Sequence, residues 1–119
     1  MNTEIKNRWV KALRSGEYEQ GKDRLCSMDK KFCCLGVLVD LYVKETGATW
    51  AIQEDDSGVD CYSMGCNWGS LPDEVIDWSG LADQDPQVRE LDSGRTLSAL
   101  NDSFDRSFEE IAVLIENQL

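Results

Sequence analysis

The spacing of apolar residues predicts an amphipathic helix at each end of the chain. We expect the first helix to be capped by Asn2 or Thr3 and to run to about Arg14. Its apolar stripe consists of Ile5, Trp9, Val10 and Leu13. Near the C-terminus, Ser107 and Glu110 have the spacing of a capping box. The stripe of the last helix consists of Phe108, Ile111, Ala112, Ile115 and Leu119.

The most apolar segment extends from Phe32 to Glu45 and predicts a central helix, because only three of its side chains are charged. Gly36 lies one turn into this segment, where glycine costs about 1 kcal/mol relative to alanine. We therefore expect another part of the chain to approach the helix closely at Gly36. Gly47 stands where a C-terminal cap is expected.

The remaining segments predict short strands and brief helices. Residues 17–31 favour a turn followed by a weak strand or hairpin, and the alternation over 49–52 and 59–64 predicts a hairpin with a charged loop. A short helix is expected to begin at residues 71–74 and another at 96, and residues 88–91 are expected to form a strand before a turn at 92–94.

These elements predict an α+β fold in which four to five helices pack with a small antiparallel sheet beside the central helix. A length of 119 residues corresponds to one domain, and no repeat or linker divides residues 1–119. The sequence therefore predicts a single small domain.

The composition argues against catalysis. The chain contains no histidine, so Ser-His-Asp and Cys-His nucleophiles and imidazole acid-base catalysis are absent. No phosphate-binding glycine-rich loop is present. The acidic run at residues 55–60 fails as a calcium loop, because Gln53 and Met64 would occupy its first and twelfth positions. We expect a protein that is not an enzyme and that requires no cofactor or metal.

Five cysteines and the N-terminal segment bear on the compartment. The cysteines form no C-x-x-C pair and are odd in number, which favours buried structural thiols in a reducing compartment over zinc ligands or disulfides. The first ten residues contain no apolar run of the kind found in a signal peptide. We therefore expect a cytoplasmic protein that does not enter a membrane.

Charge is distributed unevenly. The net charge is −11, and residues 51–119 hold three basic and sixteen acidic side chains. This excess disfavours direct binding to nucleic acid and favours a partner protein with a basic surface. The predicted partner-binding residues are the acids of this half and two tryptophans of the same region: Glu54, Asp55, Asp56, Asp60, Asp73, Glu74 and Asp77, with Trp50 and Trp68.

Basic residues suggest a second interpretation. Lys22, Arg24, Lys30 and Lys31 precede the N-terminus of the central helix, where free amides attract anions, and Arg95 is a further candidate anion contact. These side chains could hold a phosphate or nucleotide, or pair with the acidic region of the same or another copy, and we favour the pairing. The alternative function is therefore an oligomeric protein that sequesters an anionic nucleotide signal.

The segment Phe32-Cys33-Cys34-Leu35-Gly36-Val37-Leu38, preceded by Trp9, Leu13, Gly16, Tyr18, Gln20 and Gly21, resembles a family of small tailed-phage proteins with this motif. The similarity continues through Leu71-Pro72, Leu100-Asn101-Asp102 and Ser107-Phe108, so it covers most of the chain. No established activity comes with the resemblance. The resemblance implies a biological setting, since small phage proteins often act on host machinery and many block a defence complex.

These observations lead to one main hypothesis. We expect a non-catalytic, phage-type accessory protein that binds and inhibits a host defence protein, for example a CRISPR effector, through an acidic surface. Its location would be the host cytoplasm.

Overall fold

The helices at the two ends of the chain pack against each other, and the first of them also packs against the central helix. The computed structural model describes all residues from Met1 to Leu119. The three longest helices are α1 (Thr3–Arg14), α2 (Cys34–Thr46) and α5 (Phe108–Gln118). Asn2 Oδ1 accepts a hydrogen bond from the Ile5 amide at 3.0 Å, and Ser107 and Glu110 form the predicted capping box. The sequence signals for both helix starts are confirmed.

Two short helices complete the helical part of the fold. They are α3 (Asp73–Ser79) and α4 (Leu97–Asp102). Pro72 precedes α3, and Thr96 caps α4 by accepting a hydrogen bond from the Ala99 amide. No helix combines the length and apolarity needed to cross a membrane.

Five strands form one sheet in the order β1-β3-β2-β5-β4. Their bounds are β1 (Glu19–Gln20), β2 (Cys26–Ser27), β3 (Lys31–Phe32), β4 (Ala51–Glu54) and β5 (Asp60–Ser63). The predicted α+β class is confirmed. The sheet is mixed and not wholly antiparallel, because the chain reverses twice between β1 and β3 and these strands therefore run parallel. Strands of two residues carry no alternation from which this could be predicted.

A second, two-stranded sheet consists of β6 (Gln87–Glu90) and β7 (Ser93–Thr96). The turn was predicted at residues 92–94, but Ser93 and Gly94 pair within β7, so the turn consists of Leu91 and Asp92. Leu91 has a φ of 57° and is 90% exposed. The prediction was wrong because it treated Leu91 as a strand residue, whereas its side chain projects into solvent at the turn.

The N-terminus of α2 lies in the centre of the molecule. Twenty-three buried residues form one hydrophobic core, and Trp9 within it donates a hydrogen bond from Nε1 to the Cys34 carbonyl at 2.9 Å. The helix begins at Cys34 and not at Phe32, because Phe32 pairs with β1 and β2. Cys33 caps the helix with its thiol, and the Gly36 amide donates to Cys33 Sγ.

Asn101 joins three parts of the fold through its buried side chain. Its Oδ1 accepts hydrogen bonds from Gln20 Nε2 at 2.9 Å and from the Cys34 amide at 3.2 Å. Its Nδ2 donates to the Gly21 carbonyl and to Asp102 Oδ1, each at 2.8 Å. Every hydrogen-bonding position of the amide is therefore occupied.

We predict that Gly36→Ala strongly destabilises the protein. A Cβ at this position would lie 1.7 Å from the Leu25 carbonyl oxygen, so backbone must move. The helix-propensity gain of about 1 kcal/mol cannot offset overpacking, which costs about 3 kcal/mol or more when backbone blocks the site. Urea denaturation measures the difference. Gly69→Ala is the matched control, since nothing lies within 4 Å of its added Cβ. Equal stability of the two variants would contradict the prediction.

We predict that Asn101→Ala lowers the free energy of unfolding by about 3 kcal/mol, because it leaves the buried Cys34 amide without an acceptor and removes three further, partly buried hydrogen bonds. Thermal and urea denaturation test this. Asn117 is exposed on α5 and forms no side-chain hydrogen bond, so Asn117→Ala should change stability by less than about 0.5 kcal/mol. A loss below about 1 kcal/mol for Asn101→Ala would show that the junction is dispensable.

Candidate functional site

The predicted acidic hairpin forms, and it places two carboxylates opposite each other. Strands β4 and β5 pair in a register that sets Glu54 against Asp60, while Asp56 lies in the connecting loop. All three side chains are exposed and none forms an ion pair. Like charges directly opposite each other destabilise a strand pair. The fold therefore contains a local electrostatic cost that no neighbouring cation offsets.

Asp55 differs from its neighbours because it is used within the fold. Its side chain is 5% exposed and accepts hydrogen bonds from the Ser57 and Val59 amides at 2.8 and 3.0 Å. Arg24 Nη2 lies 2.6 Å from Asp55 Oδ2. The hydrogen bond from the Val59 amide is the main reason that the pKa of Asp55 lies below its usual value, and the hydrogen bond from Arg24 is the second. Asp55 thus shapes the loop and does not belong to the free acidic surface, and Arg24 is not available to an external anion.

The acids of α3 lie near the base of this hairpin. Asp73, Glu74 and Asp77 are exposed and form no ion pair. A Cβ built on Gly65, two residues after β5, would lie 2.9 Å from the Glu74 carboxylate, which places the first turn of α3 beside the end of that strand.

Residues 46–88, which we call the acidic segment, contain nine acids and no lysine or arginine. Asp55 is the only one of the nine that forms an ion pair with the rest of the chain. The opposite situation holds for the bases, since eight of the twelve lysines and arginines are within ion-pair distance of a carboxylate. The uncompensated charge of the folded protein is therefore acidic and concentrated in this segment.

The two tryptophans predicted for this surface have different surroundings. Trp50 is half-buried, and its indole Nε1 donates a hydrogen bond to Asp40 Oδ1 at 3.1 Å. Trp68 is also half-buried, and its backbone carbonyl accepts from the Leu25 amide at 2.7 Å. Trp50 immediately precedes β4, and its alternation with Ile52 and Glu54 puts all three on one face of the hairpin.

The structure does not bring the predicted anion-binding residues together. Lys22 pairs with Asp105, Lys31 lies 3.9 Å from Glu19, and Arg95 lies 3.6 Å from Glu90 and stacks over Phe104. Only Lys30 of the five predicted residues forms no ion pair. Lys22 and Arg24 thus pair with acids of the second half of the chain, as favoured, whereas Lys31 pairs with acids of the first half.

The N-terminus of α2 is also closed to an external anion. Cys33 and Cys34 are buried, and the Cys34 amide already donates its hydrogen bond to Asn101 Oδ1. Burial raises the pKa of Cys33 to about 12 and that of Cys34 well above its usual value. Sequence reasoning identified the free amides of a helix start but could not show that the core covers them.

A cavity of about 420 Å³ lies between the second half of α2 and one face of the five-stranded sheet. Its walls include four aromatic rings from four separate segments, namely those of Tyr18, Phe32, Trp50 and Tyr62. The Tyr18 and Phe32 rings meet edge to face with centroids 5.0 Å apart, as do Trp50 and Tyr62 at 6.1 Å. We call this cavity the aromatic pocket.

A network of polar groups lines one wall of the aromatic pocket. Asp40 of α2 is 16% exposed and accepts hydrogen bonds from the Tyr18 hydroxyl at 2.7 Å and from Trp50. Lys44 Nζ lies 3.0 Å from the Tyr18 hydroxyl oxygen and 3.5 Å from Asp40 Oδ2. Lys30 and Glu17 lie at the same cavity without an ion-pair partner.

Two ionisable groups of the pocket wall are held in their neutral form. Burial raises the pKa of Tyr18, and it raises the pKa of the Cys26 thiol at the pocket wall to about 12. Both groups stay protonated at neutral pH, so neither is an activated nucleophile. No group of three or more Cys, Asp or Glu side chains is arranged to hold a metal ion.

Sequence analysis missed the aromatic pocket as a unit. Its residues come from six segments separated by up to 45 positions, and no spacing rule connects them. Tyr18 was noted only as part of a family motif, Phe32 also as the start of the central apolar segment, and Trp50 as a predicted partner-binding residue.

The fold and these two sites define a small α+β protein with an acidic hairpin beside an aromatic pocket. The chain belongs to the family described as Domain of unknown function (DUF8296), whose model matches residues 1–119. The match spans the whole chain, whereas phage origin stays a prediction. No curated protein and no solved structure matches the chain.

We predict that the stabilising effect of the Arg24–Asp55 pair depends on pH. Because folding lowers the pKa of Asp55, its contribution is complete above about pH 4 and is lost as the pH falls through the folded-state value. Asp55→Asn should therefore be less stable than the unmodified protein at pH 7, and this difference in urea denaturation should shrink as the pH falls below about 4.

Asp56→Asn is the control for this measurement, since it removes one adjacent, unpaired carboxylate. It should retain or slightly raise stability at pH 7. A deficit of Asp55→Asn that is unchanged at low pH would contradict the assignment.

Proposed function

We propose that the protein is a non-catalytic accessory protein that inhibits a host defence protein, for example a CRISPR effector, by covering a basic surface of that partner. The acidic segment provides the contact. The observation that carries the proposal is the Glu54–Asp60 pair, two carboxylates held opposite each other with no cation in the chain to offset them. Such a pair gains its compensation when lysine or arginine side chains of a partner approach.

The surroundings of this pair support a protein partner. The face of the hairpin that carries Glu54 and Asp60 also carries Ile52, which is 57% exposed, and the half-buried Tyr62. Protein interfaces combine an apolar or aromatic centre with a polar rim, and this face presents both within one hairpin. The exposed acids of α3 add further charge.

The biological part of the proposal comes from two further observations. The resemblance to small phage proteins suggests a host target, and the charge of the acidic segment is opposite to that of surfaces that bind nucleic acid. A protein that mimics the charge of a nucleic acid would compete for such a surface, with fast association that weakens as salt increases.

We predict that charge neutralisation in the hairpin weakens binding to a basic probe. The triple variant Glu54→Gln, Asp56→Asn, Asp60→Asn should bind a fluorescent oligo-arginine peptide about tenfold more weakly at low salt, as measured by anisotropy. The same change in α3, Asp73→Asn, Glu74→Gln, Asp77→Asn, should have a similar effect.

The matched control is Glu4→Gln, Asp23→Asn, Asp92→Asn, which removes three exposed, unpaired carboxylates elsewhere. This variant should retain most of the affinity. If all three triple variants bind the peptide equally, net charge and not the acidic segment governs binding, and the proposed interface is wrong.

Inhibition is tested separately in cells. Expression in bacterial hosts that carry individual defence systems, CRISPR systems among them, should restore plaque formation by a targeted phage in at least one host, and the hairpin variant should lose this effect. Restoration in no host would overturn the inhibitor assignment even if the peptide measurements succeed.

A further inference from the structure

We propose that the aromatic pocket binds a purine nucleotide whose base carries an exocyclic amine. This site shares Tyr62 with the contact face of the hairpin but uses none of its carboxylates, so the inference does not rest on the acidic contact. It also differs from the predicted anion site at the start of α2, which the core closes. Lys30 is the only residue that the pocket shares with that predicted site.

The pocket has the size and walls that a base requires. Its volume of about 420 Å³ lies within the range of small-molecule sites. The Tyr18, Phe32, Trp50 and Tyr62 rings surround it, and stacking of a base on an aromatic ring contributes about 1–3 kcal/mol. Their edge-to-face contacts fix the rings before a ligand enters, so little side-chain entropy is lost on binding.

Asp40 provides a single remaining acceptor position. Its Oδ2 already faces the Tyr18 hydroxyl and Lys44, while Oδ1 accepts only from Trp50. A carboxylate oxygen can accept two hydrogen bonds, so Oδ1 can accept one more. The exocyclic amine of adenine or guanine donates such a bond, whereas hypoxanthine lacks this amine.

Lys30 provides the positive charge for a phosphate. It lies at the cavity, forms no ion pair and adopts a φ of 60°, a conformation that non-glycine residues rarely take. Lys44 lies 3.5 Å from Asp40, whereas Lys30 pairs neither with Asp40 nor with Glu17, the other carboxylate at the pocket, so its ammonium group is free to contact a phosphate.

The same ammonium groups argue against an organic cation as the ligand. An aromatic cage for a cation combines rings with carboxylates. Here Lys44 Nζ already lies over the Tyr18 ring, 5.1 Å from its centroid, and Lys30 would repel a second cation. The two carboxylates of the pocket, Asp40 and Glu17, are matched in number by Lys44 and Lys30, so the pocket holds no excess of negative charge that would favour a cation.

The experiment uses isothermal titration calorimetry and tryptophan fluorescence of the full chain with AMP, GMP, IMP and the nucleosides adenosine and guanosine. We expect AMP or GMP to bind at least tenfold more tightly than IMP and than the matching nucleoside. Trp50→Phe should keep the ring stack but lose most of the ligand-induced fluorescence change, whereas Trp68→Phe should retain it.

Lys30→Gln tests the phosphate contact. It should reduce nucleotide affinity to the level of the nucleoside and leave nucleoside affinity unchanged. Lys11→Gln is the control, because Lys11 is exposed and unpaired on α1, outside the pocket. Thermal denaturation confirms that each variant is folded.

Two results would overturn the proposal. The first is the absence of binding by every nucleotide and nucleoside at millimolar concentration. The second is binding that Lys30→Gln and Lys11→Gln weaken equally, with no change in Trp50 fluorescence, because this would indicate a general attraction to surface cations. Neither result affects the peptide and plaque measurements on the acidic segment, so the two proposals fail independently.

Discussion

The buried amide of Asn101 is the interaction on which the arrangement of this fold depends. It joins the start of α2, the chain that leaves β1, and α4, three elements that are far apart in sequence. A buried amide must satisfy each donor and acceptor, so only one relative position of these elements is allowed. The contact of Gly36 with the Leu25 backbone fixes the same end of α2 from its other side. The rest of α2 then lies along the sheet at the distance that forms the aromatic pocket.

The placement of charge follows from this packing. The first half of the chain supplies most of the basic side chains, and the fold brings carboxylates to many of them, as in the Lys22–Asp105 and Arg24–Asp55 pairs. The acidic segment contains no basic residue, and Arg24 is the only base from elsewhere that forms an ion pair with it. As a result, a hairpin with one apolar and one acidic end lies beside a pocket that shares Trp50 and Tyr62 with it. One supersecondary element thus contributes to both proposed sites.

Some elements of the fold could be predicted from the sequence pattern and others could not, for physical reasons. The capping box at Ser107 was predictable because it is local backbone geometry, and the close approach at Gly36 was predictable because a glycine inside an apolar helix is unfavourable without such a contact. The parallel pairing of β1 with β3 was not, since each strand has two residues and its partner is chosen by the packing around it. The role of Asp55 was hidden as well, because Asp55 and Asp56 are equivalent in sequence and only the fold gives Asp55 the Ser57 and Val59 amides and Arg24 as partners.

The sequence by itself determined the helices at both ends, the central helix, the α+β class and the excess of carboxylates in the second half of the chain. These are properties of neighbouring residues, and periodicity, capping and composition record them directly. Only the tertiary structure decided which charges are compensated, that the α2 N-terminus is closed, and that Tyr18, Asp40 and Trp50 face one cavity. Those outcomes depend on distances between residues that are remote along the chain, which long-range packing sets and local patterns do not encode.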